Sequence, residues 1–184
     1  ELDFALQVAL DVGTQGIDVI FPKDEMLASG FSSRPFLDDA MLETIRIEAG
    51  VPRWGFELDE EILPQEAGLE RDAVDFHKGC YIGQELTART YHTGVIRKRL
   101  MPVKFHQRPP PDSIRPDSTV TNESNARVGK LRGIIPGSRH ALGLLRVQEA
   151  LSSTALLKVD SSPVCTHRPD WWPFEAPKHI KSHN

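Results

Sequence analysis

The 184 residues are 39% hydrophobic and 26% charged with a formal net charge of -4, the balance of a globular chain long enough to bury a core. That charge excludes a protein that grips nucleic acid by bulk electrostatics. No run approaches the ~20 apolar residues of a membrane span, and two cysteines, Cys80 and Cys165, make no disulfide framework and are too few to hold a four-iron cluster alone.

The chain opens Glu1-Leu2-Asp3, without a basic signal-peptide region and without an initiating Met, as a fragment or processed product would. Phe4 to Val12 and Ile17 to Phe21, separated by Gly13 and Gly16 and closed by Pro22, predict a β-hairpin. From Pro35 the period changes. Leu37, Ala40, Met41, Thr44, Ile45 and Glu48 recur at spacings of three and four and predict an amphipathic helix. Asp38 and Asp39 suit its start, Gly50 its C′ position, and Pro52 forbids its continuation. The helix delivers Arg46-Ile47-Glu48-Ala49-Gly50 at its last turn. Trp54 to Asp75, broken by Pro64 and Gly68 and crowded with acids, reads as a solvated loop.

Thr87 to Phe105, with Thr, Tyr, Val and Ile and a break at Gly94, predicts strands. His106 to Ser118 carries Pro109-Pro110-Pro111 and Pro116 and reads as a semi-rigid spacer, which places a domain boundary near residue 106. Beyond it Thr119 to Thr121, Ala126 to Ile135, Ala141 to Val147 and Leu156 to Val159 predict a small β-barrel. The indoles of Trp171 and Trp172, in a Pro-rich tail, are expected to pack back on the body.

Chemistry concentrates in Lys78-Gly79-Cys80-Tyr81-Ile82-Gly83-Gln84-Glu85. A thiol is useful when its thiolate is populated and reachable. Gly79 and Gly83 let the backbone bend and a second molecule approach. Lys78, with Arg89, Arg97, Lys98 and Arg99 further on, supplies positive charge, and a helical turn opening at Gly83 would add to it. A lone cysteine is more often inert core filler; the Lys-Gly-Cys-Tyr setting argues otherwise here. Cys165, in Ser162-Pro163-Val164-Cys165-Thr166, has no such flanks and reads as structural, its spacing to His167 being a weak metal signal.

This octapeptide resembles the signature of the YgfZ proteins, relatives of the glycine-cleavage T-protein. Leu86 to Arg99 and Pro169-Asp170-Trp171-Trp172-Pro173 are similar to the eukaryotic, mitochondrial branch. The resemblance implies an α+β fold, the second half of a folate-binding domain (1–105) joined by the linker (106–118) to the small barrel (119–184). It implies assistance in maturing [4Fe-4S] proteins in the mitochondrial matrix, with a bacterial cytoplasm as the alternative. The partners would be A-type carriers and apo target proteins. Cys80 would be the functional thiol, aided by Lys78, and a ligand of a transient cluster shared with a partner.

Arg46 to Gly50 and Leu63-Pro64-Gln65-Glu66-Ala67-Gly68-Leu69 also resemble T-protein segments, and on that ground Glu48 is the candidate for tetrahydrofolate. A carboxylate can accept paired hydrogen bonds from a pterin ring. The competing reading is a folate-dependent aminomethyl transferase, and a plainer one is a module that binds an acidic partner through Arg97 to Arg99. The superfamily's N-terminal portion, which carries the transferase's catalytic Asp, has no counterpart in the sequence, so an assembly factor is the stronger expectation than a classical enzyme.

Overall fold

A computed structural model describes residues 38–70, 73–109, 113–152, 156–169 and 172. The hairpin expected over residues 4–21 lies outside them, as do Trp171 and Pro173.

Helix α1, Asp39–Glu48, starts where the sequence places it: the Asp38 carboxylate accepts the Met41 amide at 2.7 Å, and Gly50 takes a positive φ of 74° after the C-cap Ala49. Its packed side is different from the expected one. Ile47 is buried and Glu43 and Arg46 are part-buried, while Met41, Leu42 and Ile45 are exposed. The i, i+4 apolar series is real, but the barrel receives the neighbouring stripe, because Arg46 finds carboxylates there.

Helix α2, Gln84–Thr93, replaces the first of the expected strands. Its Thr and Tyr content favours strands, but Gly83 and Gly94, both with positive φ, bracket a helix, and Glu85 pairs with Arg89 one turn on. Strand formation begins only after Gly94, in β1, Lys98–Phe105.

Five more strands follow: β2 Thr119–Thr121, β3 Arg127–Ile134, β4 His140–Arg146, β5 Leu157–Val159 and β6 Ser162–Thr166, with the single turn α3, Val147–Ala150, between β4 and β5. They close a barrel in the order β1-β4-β3-β2-β5-β6, with β6 returning to β1, every pair antiparallel. Bulges in the β2–β3 and β3–β4 ladders supply the bending that closure requires. β6 is the strand that the sequence hid, since Pro163 breaks the usual pattern. Here it sits where its missing N–H costs nothing, and its carbonyl accepts the His106 amide at 3.1 Å.

β1 belongs to the barrel, so the strand pairing does not divide the chain near residue 106. Residues 106–118 connect β1 to β2, and Ile114 inserts into the core rather than leaving a spacer in solvent.

The barrel interior holds Met101, Val103, Phe105, Val120, Val128, Leu131, Leu145, Val159 and Val164. β1 and β4 are buried on both faces. Their alternate residues Leu100 and Leu142 point outward into a second cluster with Ile47 of α1 and Ile62 and Ala67 of the following loop. Residues 54–69 are therefore irregular, as expected, but not a solvated loop: Glu57 is 4% exposed and Gln65 is fully buried.

A candidate cysteine site at the head of helix α2

The motif occupies the loop that leads into α2. The Asp75 carboxylate accepts the His77 amide at 2.8 Å, and the Phe76 ring stacks on Tyr91 of the helix with centroids 3.7 Å apart, which pins the loop entry to the helix. The Gln84 amide donates to the Tyr81 carbonyl, and Gly83, at φ 85°, turns the chain into the first helical turn. A Cβ at Gly83 would meet nothing within 4 Å, so the residue is needed for its dihedral and not for space.

Cys80 is exposed and free of any disulfide, three residues before this helix start. Lys78 shares the loop, with its ammonium over the Tyr81 ring at 5.1 Å. Beside them an open cleft of about 530 Å³ is lined by Tyr81, Gly83, Gln84, Glu85, Leu86 and Arg89. Cys165 is also an exposed free thiol, on the outer wall of the barrel, where its Sγ lies 3.5 Å from the Lys104 carbonyl. Its setting is a strand ladder rather than a core, and among the described residues no group of three or more His, Cys, Asp or Glu is placed to hold a metal.

The cationic run does not act as a unit. Arg97 and Lys98 are exposed, but Arg99 is buried: it donates to the Gln65 carbonyl at 3.0 Å, pairs with Glu70 at 2.6 Å and lies 4.9 Å over the Trp172 ring. Trp172 is itself buried, as expected of the tail. The Gln65 amide group donates to the Thr87 carbonyl at 2.7 Å, tying α2 to the loop that packs on the barrel.

Glu48 is brought elsewhere. Its Oε1 lies 2.9 Å from His140 Nε2 and 3.4 Å from Lys104 Nζ, on the outer wall made by β4 and β1. Burial lowers the pKa of His140, with Glu48 opposing that shift. Two residues earlier in the helix, Arg46 forks between Glu43 and Glu57 and donates to the Val51 carbonyl at 2.6 Å. Burial works to lower its pKa, but the hydrogen bonds and charges of the two carboxylates together raise it, and Arg46 in turn holds Glu43 below the ordinary carboxylate range. Glu57 rests on Gly133 of β3, where an added Cβ would come within 2.3 Å of its carboxylate. The sequence flagged Arg46 and Glu48 as one segment. The role of Glu57 was hidden among its acidic neighbours.

Residues 97–174 match the family described as CAF17, C-terminal beta-barrel domain. The "Iron-sulfur cluster assembly factor IBA57, mitochondrial" of Mus musculus is 42% identical over 138 residues, which covers 71% of this chain and 37% of that protein. The Homo sapiens protein of the same name is 41% identical over 128 residues, covering 67% and 35%. Among solved structures, glycine cleavage system aminomethyltransferase T from Bartonella henselae superposes with a TM-score of 0.53 at 18% identity, over 68% of this chain and 36% of that one. Over these stretches the chain is similar to the CAF17 barrel family and to the IBA57 proteins, and it shares the fold of the aminomethyltransferase.

It spans a little over a third of the length of these IBA57 relatives. The matched barrel family takes in β1 to β6 and Trp172, and the cysteine loop and α1 precede it. The structure brings Cys80 and Lys78 together on one loop, and sets Glu48 against the barrel.

Proposed function

We propose that this chain acts in iron–sulfur cluster assembly in the mitochondrial matrix, offering Cys80 as one ligand of a cluster shared with an A-type carrier on its way to apo [4Fe-4S] proteins. The observation that carries the reading is an exposed, unpaired thiol on a glycine-flanked loop at a helix start, where a soft metal can reach it. The relatives named as mitochondrial assembly factors support it. The cluster is cargo: four ligands are needed and this chain has two cysteines, so the rest must come from the partner. Lys78 adds positive charge to the same loop.

Tetrahydrofolate is the other group that the superfamily suggests, and Glu48 is its candidate ligand. Among the described residues that carboxylate is engaged by His140 and Lys104. No folate-dependent step is assigned to it.

The test is anaerobic incubation with an A-type carrier, iron and sulfide, followed by size-exclusion chromatography with iron quantification. A complex should form only when iron and sulfide are present, and Cys80→Ser should abolish it while Cys165→Ser leaves it intact. A complex that persists without iron, or survives Cys80→Ser, removes Cys80 as a ligand.

A further inference from the structure

A buried polar side chain links the barrel to the helix that follows Cys80. Gln65 is fully buried, and its Nε2 donates to the Thr87 carbonyl, inside α2, at 2.7 Å. The other half of the amide is left over: Oε1 is buried and has no hydrogen-bond partner among the described residues. A buried acceptor without a donor lowers stability, and such a group in a native structure calls for a reason. The needs of the Thr87 carbonyl do not supply one, because a carbonyl inside a helix accepts the amide four residues on. For stability alone, an apolar side chain of the same length would serve as well or better.

Both ends of the link are fastened. On the barrel side, the Gln65 carbonyl accepts from Arg99 Nη1 at 3.0 Å, and the Glu66 carbonyl accepts the Leu100 amide at 2.7 Å. Residues 65 and 66 are thereby tied to consecutive residues of β1. On the helix side, the Phe76 ring stacks on Tyr91, and the Tyr81 carbonyl accepts the Gln84 amide, so the Cys80 loop follows α2. A shift of α2 therefore shifts the thiol.

We infer that Gln65 is a positioning residue for Cys80, holding α2 and the loop ahead of it in one placement against the barrel. This role rests on the reading of Cys80 as a shared ligand and deepens it. A small reagent can meet an exposed thiol from many directions, whereas a cluster seated on a partner has a fixed place that the ligand must reach in a defined geometry. Apolar contact is non-directional, and a hydrogen bond to one carbonyl sets both distance and angle. That registration is what the half-satisfied amide supplies.

The experiment substitutes Gln65→Met, which keeps the length and removes both the donor and the orphaned oxygen. Variant and parent are compared in urea midpoint, amide hydrogen exchange, alkylation rate of Cys80, and affinity for an A-type carrier loaded with iron and sulfide. The midpoint should hold or rise, and the α2 amides should exchange faster while those of the barrel do not change. Cys80 should alkylate within about twofold of the parental rate, while the cluster-bridged complex weakens about tenfold or more. A midpoint that falls with the affinity would make Gln65 a structural residue and overturn the inference. Parental exchange in α2 would overturn it as well. Parental affinity in Gln65→Met, with Cys80→Ser still abolishing the complex, would overturn the positioning role and leave Cys80 standing. A complex that survives Cys80→Ser would sink the shared-ligand reading and the positioning role with it.

Discussion

The barrel and the cysteine loop with α2 are built to opposite specifications. In the barrel, β1 and β4 are covered on both faces, and Gly129 has no room for a larger side chain, since an added Cβ would come within 2.2 Å of the Leu144 carbonyl oxygen. Around Cys80 the glycines stand in open space, and among the described side chains of the following helix only Thr87 is buried. A packed element contributes stability in proportion to the apolar surface that it hides. An element left open contributes little, and can change partners without unfolding the protein. The barrel scaffold therefore lies C-terminal to the motif, and the candidate thiol sits on an exposed loop that packs against little.

The largest expected effect comes from the barrel. Phe105 is fully buried among the strands, and Phe105→Ala should cost about 3–5 kcal/mol, read as a lower midpoint in urea denaturation. A loss under 1 kcal/mol would mean that the closed barrel is not the stabilising unit.

Next is the clamp between α1, the irregular loop and β3. Glu57→Ala removes a buried carboxylate that accepts two hydrogen bonds from Arg46 and one from the Arg53 amide. It should cost about 3 kcal/mol, because Arg46 keeps its burial and loses one of its two carboxylate partners. The same denaturation series tests it, and an unchanged midpoint would show that Glu43 alone satisfies Arg46.

A smaller effect attaches to the outer wall. The folded-state pKa of His140 is lowered by burial, so the unfolded chain binds the extra proton more readily and stability falls as pH drops below the ordinary histidine value of about 6.5. His140→Gln should remove that part of the pH dependence between about pH 7 and 5. Glu48→Ala should steepen it, because the carboxylate that favours the protonated ring is gone. A slope that steepens in His140→Gln would reverse the assignment. At fixed neutral pH, Glu48→Ala itself should cost under about 1 kcal/mol, as its ion pairs are half-exposed.

The smallest expected change in stability is at the site itself. Cys80→Ser should leave the denaturation midpoint within about 0.5 kcal/mol of the parent, since an exposed thiol packs against little. In the folded protein Cys80 should also alkylate faster than Cys165, whose Sγ is held to a strand carbonyl. Equal rates would erase the distinction between the two exposed thiols.

Much of the architecture was legible in the residues one at a time. Asp38 and Gly50 bound α1, alternating apolar residues mark β2 to β5, and the Lys-Gly-Cys-Tyr setting marks the thiol, because caps, strand alternation and glycine turns are local physics. The tertiary structure decided what depends on who is adjacent. It selected the Arg46–Ile47 stripe of α1 over the Met41–Ile45 stripe and buried Glu57 and Arg99, which composition places in solvent. It also drew β1 and the Pro163-containing β6 together to close the barrel, and took Glu48 to His140 and Lys104. A charge is buried, or a proline accepted in a strand, only when a partner distant in sequence supplies the missing contact, and that partner is known only once the chain has folded.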